Sequence, residues 1–274
     1  MKNIILMLVL TLGCLPMQAQ FLHLKVNKES GPARITFMDD TVLSGTVKNN
    51  KAENFILRGL AVQNDGNAMS NANIVAEKIR FKEEGQSEFK ELPASQIKKV
   101  TFLDKDGVSF MEVFRINVAR LDLDNGQIKK MQTMFLPLLM AGNFKTYGYS
   151  VYDRGVYWYT YAFVAVKGED YVVSLTQNTT FPSESKVFKV LKYVGKNCKA
   201  YQEYMEAVDA KGDLISRTEF KEALKNFKSL KGELIDQTKE SKQMGKAEAK
   251  VHFQIMKDLY YIEFLEDKYV EWCK

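Results

Sequence analysis

The sequence predicts an α+β fold, with a β-rich N-terminal roll or barrel followed by a hairpin and a helical C-terminal part. Three observations carry this expectation. Up to about residue 120, short apolar–polar alternations recur at intervals of about 8–12 residues, as in small antiparallel sheets. Two strand-like runs, the first rich in aromatic residues, then flank "KGED", the pattern of a hairpin. Beyond residue 183 the apolar residues recur at helical spacing.

Residues 1–20, "MKNIILMLVLTLGCLPMQAQ", read as a signal peptide: Lys2 is the basic start, Ile4–Leu15 the apolar run, and Ala19 the small residue before a cut. That run is too short to cross a hydrocarbon core of ~30 Å as a helix. Cys14 after Gly13 raises a lipid anchor as the alternative, but Thr11 and Leu12 fit that signal poorly. Cleavage near Ala19 is the preferred expectation, with a secreted or periplasmic protein as its product and no transmembrane span in the mature chain.

Residues 21–127 form the expected β-rich domain. "FLHLKV" alternates, and "ARITFMDDTVLSGTVKN" reads as two strands around Asp39 and Asp40, with Ile35 and Phe37 on one face. "NFILRGLAV", "EKIRFKEE", "SEFKEL" and "IKKVTFLDKDGVSFMEVFRI" continue the series, with an Asn- and Gly-rich loop after the first of these. "LDLDNGQI" reads as a turn with Asn125 and Gly126 at its tip.

Residues 128–182 are expected to hold a helix and then the aromatic β-hairpin. Ile128, Met131, Phe135, Leu138 and Leu139 have helical spacing, against which Pro137 counts. Residues 183–274 are expected to be helical. Val187, Leu191, Val194, Cys198 and Tyr201 form one stripe, and Phe220, Leu224, Phe227 and Leu230 a second. Leu259, Ile262 and Leu265 belong to a third, beyond a charged linker at 236–250.

The formal net charge is +5, and Lys2 is the only charge in the leader, so +4 remains after its removal (5 − 1). Acidic and basic residues are mixed throughout, without an Arg-rich block, so nucleic acid is not an expected partner. Of three cysteines, Cys198 and Cys273 survive cleavage. They are either one disulfide, favoured by export, or two separate thiols.

"DAKGDLISRTEF" at 209–220 resembles a calcium loop and fails as one. Lys211 stands at the third position, Leu214 replaces the turn glycine, and Glu219 falls one residue early. Ser216 and Glu219 read instead as a capping box. No metal or other cofactor is expected. The two histidines, His23 and His252, lie in no metal-binding spacing, and no nucleophile, phosphate or dinucleotide motif occurs. The stretch "YGYSVYDRGVYWYTYAF" is the most suggestive surface. Tyr157, Tyr159, Tyr161 and Phe163 fall on one face of a strand and Trp158 on the other. Such rows stack on sugar rings, although aromatic residues more often form a core or a cross-strand ladder.

"DDTVLSGTV" (Asp40, Thr41, Gly45), "LPASQIKKV" (Pro93, Ile97), "FLPLLMAGNFKTYGY" (Phe135, Leu139, Gly142) and "KNCKAY" (Cys198) follow one another in order. In this the chain resembles a family of small secreted bacterial proteins of unknown function. That family has a "G-D-T-I-x-G-x-I" hairpin, a "P-x-x-I" step, a helix–Gly–strand segment and a single-cysteine C-terminal helix. The resemblance implies the cell envelope rather than any activity. The leading functional expectation is a non-catalytic envelope protein that binds or supports another macromolecule, with an envelope protein as its partner. A glycan-binding module using Tyr157, Trp158, Tyr159 and Tyr161, and a hydrolase built on distant carboxylates, are the alternatives.

Overall fold

A computed structural model describes residues 30–48, 78–103, 106–107, 109–153, 156–175, 184–210, 214, 217–241 and 246–273. At several of these, among them 149–153 and 156–161, only the backbone is described. The leader, "FLHLKV", "NFILRGLAV" and the Asn-rich loop lie outside the described residues.

The strands are β1 (Ser30–Phe37), β2 (Val42–Lys48), β3 (Lys78–Glu83), β4 (Lys90–Pro93), β5 (Ile97–Leu103), β6 (Ser109–Leu121), β7 (Ile128–Met140), β8 (Thr146–Asp153), β9 (Val156–Ala165) and β10 (Tyr171–Ser174). They form one sheet in the order β10-β9-β8-β7-β6-β5-β1-β2-β3-β4, and β10 also pairs with β6. That added pairing is parallel, Tyr171 to Asn117 through Val173 to Ala119, and it closes β6–β10 into a five-stranded barrel. The α+β expectation, with strands first and helices last, describes this chain.

The β1–β2 hairpin forms where the sequence places it. Asp40 adopts the left-handed conformation at φ 65°. The Asp39 carboxylate accepts the Thr41 N–H at 3.0 Å, which tightens the turn and holds its own pKa below the usual range. Gly45 is required by its neighbour across the sheet: a Cβ there would stand 2.1 Å from the Lys82 carbonyl oxygen and 2.6 Å from the Phe81 ring. Phe81 joins Ala33, Ile35, Ile97 and Val100 in the core of this half. A 3-10 turn at Ala94–Gln96 then brings β5 back antiparallel to β1.

The segment 128–140 is a strand, which corrects the expected helix. Its apolar residues serve two cores at once. Met134 and Leu136 face the barrel interior with Val118, Tyr147, Phe163 and Val172. Phe135 packs against the β1–β5 core, and Leu139 and Met140 against the helices. A strand buried on both faces loses its alternation and mimics helical spacing. A register shift between Leu138 and Met140 moves Met140 to the outer face. Pro137 stands opposite Val113 on the last rung of the β6–β7 ladder, where a strand tolerates the missing N–H.

The helices are α1 (Glu184–Val194), α2 (Lys199–Ala210), α3 (Thr218–Ser229), α4 (Lys231–Ser241) and α5 (Lys246–Trp272). One stripe from Val187 to Tyr201 proves to be two helices, because the chain turns at Gly195. A Cβ on Gly195 would meet the Tyr201 ring at 2.4 Å. The Tyr201 hydroxyl donates to the Leu191 carbonyl at 3.3 Å and the Gln202 amide to the Lys192 carbonyl at 2.7 Å, which satisfies two acceptors at the end of α1. The expected charged linker is largely helical, as the end of α4 and the start of α5. The helical layer covers the outer face of the barrel, where Ala119, Ala162, Val164 and Val173 meet Val190, Leu191, Ile262 and Leu265.

The two cysteines form the disulfide: Cys198, just before α2, is joined to Cys273, just after α5, with Cα atoms 5.8 Å apart. Beside it, α2, α3 and α5 share a polar and aromatic joint. The Tyr204 hydroxyl donates to Glu219 at 2.7 Å, Lys268 approaches the same carboxylate at 3.3 Å, and the Tyr204 and Trp272 rings lie 4.9 Å apart. Glu219 therefore serves this joint. The residue that caps α3 is Arg217, whose side chain makes no capping bond, and this replaces the expected capping box; Ser216 lies outside the described residues.

Candidate functional site

The barrel is unevenly zipped. β6 and β7 pair from Val113–Pro137 down to Leu121–Ile128. β8 and β9 pair from Thr146–Val164 out to Asp153–Val156. Between them, β7 and β8 pair only at Leu138–Tyr147 and Met140–Thr146. Below that junction no further β7–β8 ladder partners occur among the described residues. Among the described residues, β7 continues to Ile128 in register with β6, and β8 continues to Asp153 in register with β9.

The local sequence explains each arm. The β6–β7 hairpin is held at its tip by Asp122, whose carboxylate accepts the Asp124 N–H at 3.0 Å and pairs with Lys129 at 3.0 Å. The Lys129 bond, the larger effect, and that backbone bond lower the Asp122 pKa. Gly126 takes φ 70° at the turn, and the Asn125 side chain accepts the Gln127 N–H at 2.9 Å. The faint calcium pattern at Asp122 and Asp124 is thus a turn. Near the tip, Ile128 and Met131 are 43% and 45% exposed, and Lys129 and Lys130 are exposed beside them.

The β8–β9 arm carries the aromatic residues expected to touch glycan. Its backbone is a strand pair, a second hairpin beside the one expected around "KGED", and it places Tyr161 opposite Tyr149, Tyr159 opposite Val151 and Tyr157 opposite Tyr152. The register shifts there, leaving Trp158 as the extra residue of a β-bulge, so the simple alternation of Tyr157 with Tyr159 and Tyr161 is interrupted. The side chains of Tyr157, Trp158, Tyr159 and Tyr161 lie outside the described residues. Phe163, on the same strand, is buried in the barrel. The sequence singled out this arm by its aromatic content. It did not reveal how short the β7–β8 ladder is among the described residues, because a cross-strand register leaves no local signal.

Elsewhere α5 carries Glu263, Glu266 and Asp267. Glu266 accepts the Asn143 N–H beneath Gly142, where a Cβ would collide with the carboxylate. Burial, with Asp267 and Glu266 nearby, pushes the Glu263 pKa up to about 7. Among the described residues, no three His, Cys, Asp or Glu side chains are grouped to hold a metal ion, and no helix is long and apolar enough to cross a membrane. Asp209 lies in the last turn of α2 and Asp213 outside the described residues; the side chains of His23 and His252 are likewise outside them. No protein-family model matches this chain, and neither does any curated protein or solved structure.

Proposed function

We propose that this chain is an exported, non-catalytic protein of the cell envelope that binds or supports another macromolecule, at the β8–β9 arm of its barrel. The supporting observation is the β8–β9 arm, whose ladder partners beyond Tyr147, among the described residues, lie within the arm itself. An isolated two-stranded ribbon is marginal in water. A partner that covers it gains main-chain hydrogen bonds and apolar area together. The leader and the envelope-protein resemblance support export. The disulfide is also in keeping with an oxidising compartment.

The test is a pull-down of the tagged protein, expressed with its own leader, from gently solubilised envelopes. The reading expects a stoichiometric protein partner that is lost when residues 149–160 are replaced by a short turn. A protein recovered alone counts against it.

Glycan binding is the second reading, supported by the aromatic run with Trp158 at the bulge. It expects retention on immobilised envelope polysaccharide that Tyr157→Ala with Trp158→Ala abolishes without unfolding. A carboxylate-based hydrolase draws support from Glu263 alone, and one buried acid does not define a reaction.

A further inference from the structure

We propose that Asn125, at the tip of the β6–β7 hairpin, is a site of covalent modification: deamidation through a cyclic imide to aspartate and isoaspartate, which the folded turn slows and fraying of the tip releases. This site stands apart from the binding reading above.

Of all the asparagines in the chain, Asn125 alone precedes a glycine. In the reaction the main-chain nitrogen of the following residue reaches the asparagine side-chain carbonyl carbon. A Cβ on that residue hinders the approach, and glycine has none. The other described asparagines, Asn117, Asn143, Asn197 and Asn226, precede Val118, Phe144, Cys198 and Phe227. Asn125 is also exposed, so water and hydroxide reach it. The step balances with water as its one co-reactant. The Gly126 nitrogen gives its proton to hydroxide and bonds to the Asn125 side-chain carbonyl carbon, and ammonia leaves. Water then opens the imide. Opening at the side-chain carbonyl gives aspartate, and opening at the main-chain carbonyl gives isoaspartate.

Two bonds of the turn act on this step in opposite senses. The Gln127 N–H donates to Asn125 Oδ1 at 2.9 Å. Negative charge gathers on that oxygen as the nitrogen adds, so this donor favours the step. Against it, the Gly126 N–H donates to the Asp122 carbonyl at 2.7 Å, and that bond breaks before the nitrogen turns to the side chain. The restraint is the larger effect. The same turn holds Gly126 at φ 70° and closes from the Asp122 N–H to the Gln127 carbonyl at 2.8 Å, so all three give way together. Isoaspartate then lengthens the main chain between positions 125 and 126, and the two closing bonds and the Leu121–Ile128 rung lose their spacing. Either product adds a carboxylate beside Asp122 and Asp124, which separates it from the parent by ion exchange.

The test follows the full protein beside the free peptide "LDLDNGQIK", residues 121–129, at mildly alkaline pH. Digests are read by electron-transfer fragmentation, which tells isoaspartate from aspartate. The protein is expected to convert at Asn125 before Asn117, Asn143, Asn197 or Asn226, more slowly than the peptide, and faster as hydroxide rises. Asp122→Ala removes the carboxylate that holds the Asp124 N–H and Lys129. It should speed conversion about fivefold, the factor that one lost hydrogen bond carries. Asn125→Gln should abolish the isoaspartate signal at this position. The separated isoaspartate fraction should exchange its Asp122 and Gly126 amide hydrogens faster than the parent. Conversion in the protein as fast as in the peptide overturns the proposal, and so does earlier conversion at one of the four other asparagines. An unchanged rate in Asp122→Ala, or no detectable conversion in that variant by the time the peptide is spent, overturns it as well. Unchanged amide exchange in the isoaspartate fraction overturns the claim that the product opens the tip.

Discussion

Reducing the Cys198–Cys273 bridge tests how the helical layer is held. The bond spans a sequence separation of 75 residues, from the start of α2 to the end of α5. In the chain-entropy account, a closed loop of that size stabilises the folded state by about 4 kcal/mol through its effect on the unfolded chain. For a chain of this length each kcal/mol moves the melting temperature by about 2–4 °C. The reduced protein, or Cys198→Ser with Cys273→Ser, is therefore expected to melt about 8–16 °C lower. The fold should survive, because Leu259, Ile262 and Leu265 remain buried and the Tyr201 and Tyr269 rings still meet at 5.4 Å. Thermal unfolding followed by circular dichroism, with and without reductant on the same protein, isolates the bridge from any side-chain change. A melting temperature within about 2 °C of the oxidised form would refute the reasoning. It would mean that the aromatic joint alone restricts this end of the chain, in the unfolded state as well as the folded one.

Three further outcomes follow from named contacts. Gly45→Ala forces a Cβ against the Lys82 carbonyl and the Phe81 ring, so it should cost about 1–3 kcal/mol in a urea titration; an unchanged midpoint would contradict that packing. Tyr204→Phe removes the donor to Glu219 and should cost about 1 kcal/mol in the same assay, Lys268 remaining beside the carboxylate. Glu263 has a folded pKa of about 7 against an ordinary 4.5, so the folded state holds the extra proton between those values. Stability should accordingly be greatest below about pH 4.5 for this group and fall as pH rises to about 7, by roughly 3 kcal/mol at most. Glu263→Gln should flatten that slope, and a slope unchanged in the variant would assign it to another group.

What the sequence made legible follows from how each segment is buried. β1 and β2 alternate around Asp39 and Asp40, and each turn signal lies within the segment itself. The β9–β10 hairpin was equally plain around Gly168, which takes φ 80°. β7 was misread because its apolar residues serve the barrel interior, the β1–β5 core and the helical layer at once, so no period of two survives. Pro137 was the residue that counted against a helix. The break between α1 and α2 was hidden because Val194, Cys198 and Tyr201 keep helical phase across it, while the demand on Gly195 comes from a ring six residues further on. Export had suggested the disulfide, and geometry decided it. The short β7–β8 ladder depends on pairing between distant residues and had no local trace.

The most direct test of the binding account is site-specific photo-crosslinking in intact cells. A photoreactive residue is placed at Val151, on the arm, or at Met131, on β7, with exposed Glu233 on α4 as the control. The account predicts a discrete higher-mass protein adduct from the first two positions and none from Glu233. Adducts from Glu233 alone, or from no position, would contradict it.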